Sequence, residues 1–361
     1  YSEDTQIIQK ISDYEALKAK TVRWEDVTKV THIFFHSLIY DTDKAFKSDS
    51  ADGYNMVMTT VDEFNKIMQS MYNKGYVLVS IHDLVKEVTD EDGNVTYEAG
   101  DIMLPSGKIP FVLSQDDVSY YEYMENTGFA SKIVLDDNGK PTCEYKNDDG
   151  SLSYGAYDLV PLLDQFIEEH PDFSYRGAKG ILALTGYNGV LGYRTDPEVY
   201  KDSPTLSEDI QKAKEVADAL KADGWEFASH SWGHIHMGQT SWEKFKEDTD
   251  RWEKNVQPIV GDTDIMIYPF GEDVGDWHPY SPDNQKYEYL REKGFRFFCN
   301  VDGAQYWVQL NGDYIRQGRR NVDGQRMWQQ IATKKDWLGD LFDVNQVFDP
   351  ARPVPVYDVN G

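Results

Sequence analysis

Ser114-Gln115-Asp116-Asp117 and Ser229-His230-Ser231-Trp232-Gly233-His234 are the two stretches from which the fold of this chain is read. Each follows a short apolar run of strand type. Ile109 to Leu113 leads into the acidic pair, and Trp225 to Ala228 leads into the first histidine. Polar clusters at strand ends are where α/β folds keep their chemistry. Two imidazoles and one carboxylate make three ligands, the usual set for a catalytic zinc, with the fourth position left to water.

Working outward, strand-like and helix-like segments alternate. Val30 to His36 reads as the first core strand. Thr60 and Glu63 form a capping box, Phe64, Ile67, Met68 and Met71 recur at helical spacing, and Gly75 ends that helix. Strands follow at Tyr76 to Ile81, Ile109 to Leu113, Gly180 to Leu184, Trp225 to Ala228, Ile265 to Tyr268 and Phe295 to Cys299, with a short one at Tyr314 to Arg316. Helices are read at Tyr14 to Lys20, Tyr157 to Glu169, Ser207 to Ala222, after a Thr240/Glu243 cap, and at Asn284 to Lys293. Turn signals at Asp92-Gly93, Asn138-Gly139 and Asp149-Gly150 mark two inserted hairpins, about 86–108 and 133–154. The alternation predicts a parallel sheet closed into a barrel, with residues 1–361 as one domain.

The chain has 361 residues and a formal net charge of -27. Such a surface repels phosphate backbones and anionic lipid, so nucleic acid is excluded as a natural partner. Otherwise the acidity serves solubility. No apolar run reaches the ~18 residues of a membrane span, and the N-terminus has no signal-peptide pattern. Tyr1-Ser2-Glu3-Asp4 reads as a processing boundary, with any signal or anchor upstream. Cys143 and Cys299 show no metal-ligand spacing; a disulfide and two free thiols both stay open.

Histidines four apart, with small Ser231 and Gly233 between them, can converge on one ion. Their competing reading is chance. Asp116 and Asp117 are adjacent, so in an extended segment they point opposite ways and hold different jobs. The competing reading is a solvated turn or a cap for Ser119 to Glu125. Tyr268-Pro269-Phe270-Gly271 ends a strand in a forced turn.

In this order, the three stretches resemble the polysaccharide deacetylases with a NodB-homology domain, carbohydrate esterase family four. That family carries Thr-Phe-Asp-Asp-Gly, His-Ser/Thr-x-x-His and Arg-x-Pro-Tyr/Phe-Gly. The resemblance spans about residues 109–300. The front end, with Phe35-His36-Ser37 and Gly75-Tyr76-Val77-Leu78-Val79, is most similar to the poly-N-acetylglucosamine branch. It implies a distorted (β/α) barrel of the NodB-homology type carrying the two inserted hairpins. It further implies one divalent metal, most often zinc with cobalt, nickel or manganese as alternatives, held by Asp117, His230 and His234. Asp116 is then the general base, and the Phe270 N–H helps hold the oxyanion. An extracellular or cell-surface N-acetylated polysaccharide is the implied substrate, acted on by a monomer in the default case.

Two departures stand out. The family's third-motif arginine is Ile267, so that motif offers no charge to orient Asp116. The late histidine that serves as general acid has no counterpart. His36, His278, Arg316 and a metal-bound water are the substitutes. His36 is favoured because its strand neighbours the Asp116 strand, against the alternative of a core histidine bonded to backbone. Trp232, Tyr268, Trp277 and Arg316 are read as substrate contacts. Enzymatic deacetylation is weighed against a deacetylase fold that only binds glycan.

Overall fold

The computed structural model describes residues 7–12, 18 and 20–359. Most of the helix expected at Tyr14 to Lys20 lies outside the described residues. Eight strands carry the architecture: β1 (Thr31–Phe35), β2 (Tyr76–Leu78), β3 (Ile109–Gln115), β4 (Ile181–Leu184), β5 (Glu226–Ser229), β6 (Ile265–Ile267), β7 (Phe297–Val301) and β8 (Tyr314–Asn321). Seven of them close into a parallel barrel in the order β1-β3-β4-β5-β6-β7-β8, with β8 returning to β1. β2 stands outside the ring. It pairs with the first residues of β3, Tyr76 facing Ile109, while β4 pairs only with the last two, Ser114 and Gln115. One strand shared in this way distorts the barrel.

Period-two alternation sorts each strand between two cores. Ile33, Phe35, Phe111 and Leu113 face outward onto the helices, including Val61–Asn73, which has the expected Thr60/Glu63 capping box. Val112, Ile181, Ala183, Ala228, Ile265, Ile267, Phe297, Cys299 and Ile315 fill the interior. Toward the strands' C-terminal ends the interior turns polar. His32 sits between Gln317 and Ser114, with ring nitrogens 3.2 and 2.9 Å from their side chains. Burial and the nearby Arg319 hold its pKa well below the usual imidazole value.

The N-terminal end of the barrel is closed by the hairpin Val85–Thr89/Val95–Ala99, one of the two expected insertions. Beside it, His82 reaches Glu226 at 2.5 Å and Asp264 at 3.0 Å, joining the starts of two strands. The second insertion is not a hairpin. It is a three-stranded antiparallel sheet, Lys132–Leu135, Pro141–Lys146 and Leu152–Gly155. Each of its two turns reverses the chain once, so two turns give three strands.

Other boundaries shift too. The cap expected at Thr240 is Ser241, before the helix Trp242–Asn255. β8 is eight residues long rather than three, and almost wholly buried. Both cysteines are buried and unpaired. Among the described residues no helix is long and apolar enough to cross a membrane.

Candidate metal centre and catalytic site

The site sits at the C-terminal ends of β1, β3, β5, β6 and β8, where side chains from different strands converge. His230 is the first residue after β5 and is buried. Its Nδ1 lies 2.7 Å from the Ile267 carbonyl oxygen. A carbonyl only accepts, so Nδ1 carries the proton and the Nε2 lone pair faces the site. Burial disfavours the imidazolium and lowers its pKa to about 4, which keeps the ring in the neutral form that ligates metals.

The loop to His234 is fixed from outside. Asp248, on the helix Trp242–Asn255, accepts the backbone N–H groups of Trp232 and Gly233, both at 2.8 Å. A Cβ at Gly233 would come within 2.9 Å of that carboxylate, so a side chain there would push Asp248 away from the two N–H groups. Ser231 Oγ accepts the N–H of Ile235 at 3.1 Å. His234 Nε2 then lies 3.8 Å from Asp117 Oδ1, and His230 Nε2 lies 4.0 Å from the same oxygen. Asp117, His230 and His234 each offer one ligand atom, all within 4.8 Å of one another. The donor set and the fixed His230 tautomer fit a divalent cation.

Backbone strain concentrates here. Asp117, Ser231, His234 and Phe270 all have left-handed φ, at 60°, 54°, 50° and 59°. Each such non-glycine residue costs on the order of 1–3 kcal/mol, which surrounding structure must offset. At Asp117 the reversal breaks the strand alternation and turns this carboxylate back toward the histidines. Tyr121 donates to Asp117 Oδ1 at 2.5 Å and is itself bonded to Thr185. Burial raises the Asp117 pKa, but the three histidines and Tyr121 outweigh it and hold the carboxyl below its ordinary value.

Asp116 points into the barrel and meets Arg319. The guanidinium forms two hydrogen bonds to it, Nη1 to Oδ1 at 2.6 Å and Nη2 to Oδ2 at 2.9 Å. Both side chains are almost fully buried. Arg319 also donates to Ser114 Oγ at 3.1 Å and lies 4.2 Å over the Phe34 ring. Burial pushes the Asp116 pKa up, but Arg319 and His230 prevail and hold it far below the carboxylate range. Asp116 Oδ2 is 3.9 Å from His230 Nε2, so the ionised carboxylate borders the ligand cluster. The third motif, with Ile267, indeed gives Asp116 no charge partner, and Arg319 provides one. The arginine comes from a different strand. Period two along β8, with Ile315, Gln317 and Arg319 on one face, was the signal that could have found it.

His36 follows β1, and β1 pairs directly with β3, Phe35 facing Gln115. Its Nδ1 donates to the Val57 carbonyl at 3.1 Å, and its Nε2 lies 4.0 Å from Asp117 Oδ2. Thus it has the backbone bond of a core histidine and also borders the site. Phe270 sets its exposed ring edge-on to His234 at 4.5 Å and flat on His236 at 4.0 Å.

The expected substrate contacts divide. Trp277 is 65% exposed and open to a ligand. Tyr268 is buried, its hydroxyl 2.8 Å from that of Tyr280, because the strand register turns it outward into an aromatic cluster. Arg316 is also fully buried. It holds the 271–280 loop through Asp273 and the carbonyls of Asp276 and His278, so it is neither a sugar contact nor a proton donor. Trp232 is a wedge. Its Nε1 donates to Asp196 at 2.8 Å, Arg251 stacks 3.4 Å over its ring, and it packs where Gly186 lacks a side chain. His278 stacks on Trp277 at 3.8 Å.

Residues 205–298 match a family model described as polysaccharide deacetylase, a span that includes His230, His234 and Phe270. Two solved structures are similar. One is a Bacillus anthracis protein named as a polysaccharide deacetylase, BA0330, at 12% identity over 87% of this chain and 69% of that one, with a TM-score of 0.41. The other is the Streptococcus pyogenes deacetylase PplD in complex with acetate, at 13% identity over 86% and 98%, with a TM-score of 0.40. No curated protein matches the chain.

Proposed function

We propose, from the match of residues 205–298 to the polysaccharide deacetylase model, that the chain hydrolyses N-acetyl groups from an N-acetylglucosamine-type glycan, with one divalent ion, zinc first. The observation that carries this reading is the buried Asp116–Arg319 pair beside the Asp117, His230 and His234 cluster. A divalent ion held by those three residues would lower the pKa of water and polarise the acetamide carbonyl. Asp116, ionised and held by both oxygens, takes the proton of the attacking water. The Phe270 N–H steadies the oxygen that gains charge. The water oxygen bonds to the acetyl carbon, the C–N bond breaks, and the amine needs one proton. His36, protonated at Nε2, gives it, with Val57 fixing the other ring nitrogen.

The alternative of a deacetylase fold that only binds glycan rested on the missing arginine and the missing late histidine. The Arg319–Asp116 pair speaks for the first, and His36, with Nε2 4.0 Å from Asp117 Oδ2, is the candidate for the second. The proposed setting is the secreted matrix or cell envelope, where N-acetylated polymers lie, and the front-end resemblance favours poly-N-acetylglucosamine. The test is release of acetate from N-acetylglucosamine oligomers by the zinc-loaded protein. Loss of release in Asp116→Asn with the metal retained supports the roles, and full activity in that variant overturns them.

A further inference from the structure

Among the strand ends around the candidate metal centre, β4 offers no ligand. It delivers Thr185, the residue after Leu184, which is fully buried. Thr185 Oγ1 lies 2.9 Å from the Tyr121 hydroxyl and 3.0 Å from Ser119 Oγ. The Tyr121 hydroxyl lies 2.5 Å from Asp117 Oδ1. Three hydroxyls thus form one line that ends on the Asp117 carboxylate.

The end of the line sets the direction of every bond in it. An ionised carboxylate only accepts, so Tyr121 donates to Asp117. Each hydroxyl has one proton, so Thr185 donates to Tyr121, and Ser119 donates to Thr185. All three side chains are buried, where such bonds reinforce one another. Asp117 Oδ1 is also the oxygen that faces His234 and His230, 3.8 and 4.0 Å from their Nε2 atoms, too far for hydrogen bonds. One side of Oδ1 takes the Tyr121 proton, and the other is left toward the histidines.

Tyr121 is itself fixed. Its ring stacks on those of Tyr123 and Tyr187, with centroids at 5.4 and 5.1 Å and each pair inclined by 15°. The turn that carries it is held through its backbone. Val118 N–H donates to the Ala183 carbonyl at 3.2 Å, Leu191 N–H to the Val118 carbonyl at 3.0 Å, and Arg194 to the Tyr120 carbonyl at 2.9 Å.

We infer that Tyr121, backed by Thr185, is a positioning residue for the metal. It holds the Asp117 carboxylate, on a backbone left-handed at φ 60°, with one oxygen presented to both histidines. The inference rests on the metal part of the deacetylase reading. Carboxylates that bind metals are hydrogen-bonded from outside, and loss of such a partner weakens binding ~10–100-fold. Without the Tyr121 proton, Asp117 is free to turn toward His36, whose Nε2 is 4.0 Å from Oδ2. A donor on Oδ1 also draws charge from it, which acts in the opposite sense, so the sign of the change in affinity is the test.

The experiment measures the zinc affinity of the full chain by competition with a chromophoric chelator. The proteins are wild type, Tyr121→Phe, Thr185→Val and their double. Phenylalanine keeps the ring and its stacking and removes only the hydroxyl. Valine keeps the shape of Thr185 and removes its proton. The site is defined as the zinc binding that His230→Ala/His234→Ala loses, which sets aside ions scattered over a chain of net charge -27. Tyr121→Phe should weaken zinc binding about 10–100-fold. Thr185→Val should act in the same direction by less. The double should be no weaker than Tyr121→Phe, because Thr185 acts through Tyr121. Thermal melting of the zinc-free proteins checks folding. Hydroxyls that only brace the loop would lower that Tm and leave zinc affinity unchanged. Unchanged or tighter zinc binding by Tyr121→Phe overturns the inference. Should that variant fail to fold, Thr185→Val decides on the same terms. Zinc binding that is lost with the histidines but indifferent to Tyr121 removes the inference alone. A wild type without such binding overturns the metal reading, and the inference with it.

Discussion

Arg319 and Asp116 are 203 positions apart in sequence and are joined by two hydrogen bonds inside the barrel. The pair exists only because β8 closes against β1, which pairs with the strand carrying Asp116. Removing one partner of a buried pair leaves an uncompensated charge, at a cost of roughly 3–5 kcal/mol. Arg319→Met should therefore lower the unfolding midpoint strongly and abolish acetate release. Adding Asp116→Asn should recover part of the stability and none of the activity. Denaturant titration of the two singles and the double measures this coupling. Strictly additive losses would show that the pair does not act as a unit.

The ligand set makes a separate forecast. His230→Ala or His234→Ala should release the metal, measured by elemental analysis after dialysis. Asp116→Asn should keep it while turnover falls ~10²–10⁴-fold, as for loss of a general base. Unchanged metal content in the His230→Ala/His234→Ala double variant would remove the metal centre from the argument.

His36 has two contacts, and they separate its roles. If Nε2 delivers the proton, His36→Gln should lower kcat ~10²–10⁴-fold with metal retained. Acetate release from an ester analogue, whose leaving group needs less protonation, should suffer much less. A His36 that only ties β1 to the Val57 carbonyl would instead show a lower Tm with near-normal turnover per folded molecule. His278→Gln should have a small effect in either case, since that ring is stacked on Trp277.

Much of this was legible from local rules. Apolar runs marked the strands, Thr60 with Glu63 marked a helix start, and strand-end polar residues marked Asp116, Asp117, His230 and His234. β8 was truncated because its core-facing residues are Gln317 and Arg319 and its other face carries Arg316 and Arg320. A buried strand made of polar side chains reads as a loop unless its partners are known. Tyr268 and Trp232 adjoin the site in sequence, and that adjacency alone suggests ligand contacts. Register turned Tyr268 outward, and the hydrogen bond to Asp196 pulled Trp232 under Gly186. Arg319 could be found from period two, but its partner could not, since barrel closure brings them together.

At the opposite end of the barrel, His82 links Glu226 and Asp264 and gives a stability forecast that does not depend on catalysis. Burial disfavours its charge, but the two carboxylates outweigh this and raise its pKa to about 10. The unfolded value is ~6.5. A group whose pKa is raised on folding stabilises fully below its unfolded pKa and loses that contribution as pH rises through the folded one. The ring is 42% exposed, so solvent screening limits the effect to about 1 kcal/mol or less. His82→Gln should therefore lower Tm most at pH 6 and below. The gap from wild type should narrow steadily between pH ~6.5 and about 10. Thermal melts of both proteins across that range provide the measurement. A gap that stays constant with pH would mean that His82 contributes packing and neutral hydrogen bonds there, and no charge.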